Sequence, residues 1–90
     1  MLAVLIVESE RGLRETAENV LGVAGYRTFA AAKADEALAV LRDRPEIDLL
    51  FTDMRIAGPA SGQSLTGAAK ELRPDLKVLY ASGRRAAPSR

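Results

Sequence analysis

The stretch Asp48-Leu49-Leu50-Phe51-Thr52-Asp53-Met54 places an apolar centre between two aspartates and runs into a segment containing Gly58, Pro59, Ser61 and Gly62. Residues 48–52 therefore predict a strand with an apolar centre, and residues 53–62 an acid-led, glycine-rich loop at its carboxyl end. Toward the amino terminus, Leu2-Ala3-Val4-Leu5-Ile6-Val7 is a second branched apolar run, ending at Glu8, Ser9 and Glu10. It predicts the first strand. From Arg11 onward, Leu13, Ala17, Val20, Leu21 and Ala24 recur at helical spacing, while Arg14, Glu15, Glu18 and Asn19 fill the other face. Ser9 is the expected cap of this helix, and Gly25 its stop, because glycine enters the left-handed region without steric cost. Residues 26–31 predict a short strand. Ala34, Ala37, Leu38 and Leu41 form a second helical stripe that Pro45 closes. Beyond the loop, Leu65, Ala68, Ala69 and Leu72 form a third stripe, Arg73-Pro74-Asp75 turns, and residues 76–81 predict a fourth strand before a polar, basic tail.

Strand and helix thus alternate at roughly 25 residues per unit, which favours an α/β open parallel sheet with helices on its faces. Ninety residues, 48% hydrophobic and 28% charged, suit one small folded domain and not a disordered segment. Thirteen basic against twelve acidic residues leave a net charge near +1. That balance gives no electrostatic reason to expect nucleic acid or an anionic membrane as a partner. Without cysteine or histidine, disulfides, thiolate metal sites and the usual zinc ligands are excluded, so metal chemistry must use oxygen donors. The apolar run at residues 2–7 is too short for a signal or membrane helix, which predicts a cytoplasmic protein. The glycines of residues 62–68 imitate a phosphate loop, but Ala68 stands where the essential lysine would be.

Ligands in an open parallel sheet gather beyond the carboxyl ends of the strands, near the point where strand order reverses. The predicted ends offer Glu8 and Ser9, then Asp53, then Ser82 with Gly83. Two carboxylates and a hydroxyl suit magnesium, a hard cation that uses one or two carboxylates and keeps several waters. A carboxylate beside such an ion can also act as a nucleophile toward phosphorus. An aspartate just after a strand is equally an ordinary turn residue, and spacing alone leaves both readings open.

Three stretches carry a family resemblance: Val4-Leu5-Ile6-Val7-Glu8, Asp48-Leu49-Leu50-Phe51-Thr52-Asp53-Met54 and Val78-Leu79-Tyr80-Ala81-Ser82-Gly83. In order and spacing they resemble the signature strands of response-regulator receiver domains, and Arg73-Pro74-Asp75-Leu76 is similar to the usual turn before the last. The resemblance spans nearly the whole chain, with residues 1–83 as the receiver-like domain and residues 84–90 as a basic tail. It implies the flavodoxin-like receiver fold, no enzyme, and acceptance at Asp53 of phosphate from a sensor histidine kinase or phosphotransfer protein. Glu8, Asp53 and the Arg55 carbonyl would hold magnesium, and Ser82 would be the hydroxyl that moves toward the phosphate.

The chain departs from that pattern at Ser9, where the family has a second acid that binds the metal directly. Losing a direct carboxylate should cost at least the 10- to 100-fold typical of a supporting group, so weak magnesium binding is expected. The family's fifth strand, its terminal lysine and the last helix are also missing before Arg90, so a sheet of order 2-1-3-4 is expected. Such a sheet would expose the edge of the fourth strand and bare apolar surface from Leu5, Val7 and the third strand. A homodimer or swapped assembly through that edge follows. The alternative is a pseudo-receiver that keeps the fold for dimerisation or partner docking and never carries phosphate.

Overall fold

A computed structural model describes residues 2–53 and 64–81. They form strand β1 (Ala3–Val7), helix α1 (Arg11–Val23), β2 (Arg27–Ala31), α2 (Ala34–Asp43), β3 (Leu49–Asp53), α3 (Leu65–Leu72) and β4 (Lys77–Ala81). All strand pairs are parallel, in the order β2-β1-β3-β4. The α/β open sheet and the order expected from sequence are both present. β3 is displaced by one residue from its predicted bounds, so Asp53 is the last residue of the strand and not the first of the loop.

Strand alternation decides the two faces. Ala3, Leu5 and Val7 of β1 and Leu50 of β3 join Ala37 and Leu41 of α2 and Leu65 and Ala69 of α3 in one buried core. The opposite set, Val4, Leu49, Phe51 and Leu79, meets Leu13, Ala17, Val20 and Leu21 of α1 around an apolar cleft of about 380 Å3. The expectation that Leu5 and Val7 would be bared is therefore wrong. Their parity turns them toward α2 and α3, where they are 0% and 1% exposed. The apolar surface on the α1 side comes from the neighbouring parity, with Leu79 half-exposed.

Local signals place the helices. At the end of α1, Gly25 takes φ +105°; its amide donates to the Gly22 carbonyl and that of Tyr26 to the Leu21 carbonyl, both at 3.0 Å. This is the double bond pattern of a left-handed glycine stop. At the start of α3, Ser64 Oγ accepts from the Gly67 amide at 3.0 Å, filling an orphan donor of the first turn. At the start of α1 the expected Ser9 cap is not made. Glu10 is the N-cap residue, without a side-chain cap bond. The lower ends of the strands are tied by Asp48: its carboxylate accepts from the Ala3 amide at 3.0 Å, its amide donates to Ala3 and its carbonyl accepts from Lys77.

Candidate functional site

Strand order reverses between β1 and β3, so the carboxyl ends of these two strands form the place where an open sheet leaves room for a ligand. Val7 pairs with Thr52. The next residue along each strand direction is Glu8 on one side and Asp53 on the other, so one acidic residue directly follows β1 and another ends β3. Asp53 is 2% exposed and pairs with Ala81 of β4. Its neighbour Thr52 is equally buried, and the Thr52 hydroxyl donates to the Asp53 carbonyl at 3.3 Å. Burial of a carboxylate is costly unless the surroundings compensate it, which marks Asp53 as something other than a solvated turn residue.

Glu8 is half-buried. Its amide donates to the Ala31 carbonyl at 3.1 Å, which keeps it in line with β1 beyond the last pair. Its Oε2 accepts from the Glu10 amide at 2.9 Å. Ser9 and Glu10 are both exposed, and Glu10 is the residue that precedes the first turn of α1. A residue that periodicity assigned to the outer face of α1 also belongs to this corner. Arg14 Nη1 donates to the Glu8 carbonyl at 3.0 Å. Helical spacing reads Arg14 as a solvated charge, and its reach back to Glu8 has no signal in that spacing.

Arg55 and Ser82 lie outside the described residues; Ser82 follows directly on Ala81, the partner of Asp53. The described donors are thus Glu8 and Asp53. Their chemistry fits magnesium in kind, because two carboxylates suffice for an ion that keeps most of its waters. They do not form a cage of their own, since no cluster of three or more metal-binding side chains occurs among the described residues. Helices α1, α2 and α3 are all too short or too polar to cross a membrane.

Comparison with known proteins agrees with this geometry. A family model described as the response regulator receiver domain matches residues 4–90, and the chain belongs to that family. It is 36% identical over 76 residues to the response regulator protein FleR of Pseudomonas aeruginosa, covering 84% of this chain and 16% of that protein. It is 39% identical over 56 residues to sporulation initiation phosphotransferase F of Bacillus subtilis, covering 61% of this chain and 44% of that protein. The chain therefore spans less than half the length of either relative. A receiver-domain structure from Clostridium thermocellum superposes with a TM-score of 0.79 at 21% identity, over 89% of this chain and 64% of that one, and shows the shared fold.

Proposed function

We propose that this receiver domain takes a phosphoryl group onto Asp53 from the phosphohistidine of a sensor kinase or phosphotransfer protein, in the cytoplasm. In that step an Asp53 carboxylate oxygen bonds to phosphorus as the bond from phosphorus to the donor imidazole nitrogen breaks, and that nitrogen keeps the electron pair. The observation that carries the reading is the placement of Asp53, buried at the carboxyl end of β3, one position beyond the last pair that β3 makes with β1. Glu8 and Asp53 are the residues proposed to hold magnesium, with the Arg55 carbonyl as a third donor. When bound, the ion would screen the repulsion between carboxylate and phosphoryl oxygens. Ser82 is proposed to donate its hydroxyl to the phosphate, as its position after the partner of Asp53 suggests.

Ser9 supports weak metal binding, because a neutral hydroxyl replaces a carboxylate where the family pattern has a direct ligand. The test is incubation with phosphoramidate and magnesium followed by intact mass. A gain of about 80 Da, one phosphoryl group, is expected on the wild type and not on Asp53→Asn. No gain on the wild type, with the domain folded, would select a second reading that Ser9 favours: a pseudo-receiver acting only through its surfaces. Under either reading a homodimer is proposed. β4 pairs only with β3 among the described residues, and half-exposed Leu79 and Tyr80 lie on it.

A further inference from the structure

The corner where β1 turns into α1 is tied by hydrogen bonds, beside the partial packing of Leu13 at the apolar cleft. No residue of α1 is buried, so core side chains do not clamp its first turn. Three bonds fix the corner. Glu8 Oε2 accepts from the Glu10 amide at 2.9 Å, the Glu10 carbonyl accepts from the Arg14 amide at 2.9 Å, and the Glu8 carbonyl accepts from Arg14 Nη1 at 3.0 Å. Glu8 is the hub, engaged through both its carboxylate and its main chain. One carboxylate oxygen takes the Glu10 amide, and the other makes no hydrogen bond among the described residues.

Arg14 is used differently from its neighbour Arg11. Arg11 pairs with Glu15 one turn on, at 3.0 Å, with both side chains largely in solvent. Arg14 is half-buried, has no carboxylate within 4.0 Å among the described residues, and commits its guanidinium to a carbonyl. Ordering a long side chain costs rotamer entropy, and here that ordering fixes Glu8, the residue that directly follows β1.

We propose that Arg14 is a positioning residue for the cation of the Asp53 site, holding the Glu8 main chain so that the Glu8 carboxylate stays at the end of β1 as a ligand. This rests on the magnesium site proposed above at Glu8 and Asp53. Groups that orient metal ligands from outside the coordination sphere commonly change affinity 10- to 100-fold when removed. A guanidinium that acted only as a nearby positive charge would do the opposite, and its removal would tighten cation binding. The two roles thus differ in sign.

The experiment is a magnesium titration of the isotopically labelled chain, followed by nuclear magnetic resonance at the Glu10 amide and the Arg14 side-chain N–H signals, with circular dichroism confirming the fold. Arg14→Met should raise the midpoint by about tenfold or more, and Arg14→Lys, which keeps a charged donor, should recover most of the loss. A midpoint for Arg14→Met equal to or below that of wild type overturns the proposal. Should Arg14→Met fail to fold, the wild-type Arg14 signals decide: they must move with the Glu10 amide at one midpoint, and unmoved signals overturn it. Phosphoramidate labelling run alongside separates the two claims. Labelled wild type with an unchanged Arg14→Met titration sinks the role of Arg14 alone. No labelling, with the titration shifted as expected, sinks phosphate acceptance and supports Arg14. No response of the wild type to magnesium sinks both.

Discussion

Gly25 and Asp53 are each defined by what their backbone or burial requires. At Gly25 a Cβ would meet no atom within 4 Å, so the cost of a side chain there is conformational alone. With φ at +105°, Gly25→Ala should destabilise the domain by about 1–2 kcal/mol. In a thermal melt that is a fall of roughly 4–8 °C per kcal/mol; an unchanged melting temperature would contradict the assigned stop. Gly25 was legible because a glycine after an apolar helical stripe has one common structural use. Asp53 was legible as a strand-end carboxylate, but its depth was not, because burial depends on β3 being central, between β1 and β4. Arg14 was hidden for a related reason. Periodicity assigns a helix face but not the reach of an arginine back past its own first turn.

Elements are where alternation has its effect. Leu50 and Leu79 are the same residue type on adjacent strands, but Leu50 is 0% exposed in the core under α2 and α3 while Leu79 is 54% exposed beside the α1 cleft. Leu50→Ala should cost about 2–5 kcal/mol by removing packed methyl groups and leaving a cavity. In the monomer, at concentrations below association, Leu79→Ala should stay within about 0.5 kcal/mol, as for a surface position. Equal losses in urea unfolding would mean that the faces are misassigned. The continuous apolar run of β1 predicts a strand covered on both sides, and all five of its residues are buried. The run did not say which parity met which helix, because an unbroken apolar run lacks the polar alternation that marks a face. That is why Leu5 and Val7 were expected at a bare surface and are found buried. Helix starts were partly legible: Ser64 caps α3, whereas at α1 the corner bonds to Glu8 take the place of a cap from Ser9.

At the scale of the whole molecule, the alternation of elements and three motifs in order were enough to define the parallel sheet and the family. The polar site was less legible, since its corner depends on contacts between segments that sequence spacing does not register. On the α1 side, half-exposed Leu79 of β4 lines one apolar cleft with Leu13 and Val20 of α1. Apolar surfaces of this kind are usually covered by a partner. Light scattering at micromolar concentration should therefore give a dimer mass that Leu79→Lys reduces toward 9.6 kDa; a monodisperse 9.6 kDa wild type would contradict the proposed association. The central claim is phosphate acceptance at Asp53, and intact mass after phosphoramidate and magnesium tests it most directly. The wild type should gain about 80 Da and Asp53→Asn nothing. A folded wild type that gains no mass, or an Asp53→Asn variant that gains as much, would contradict it.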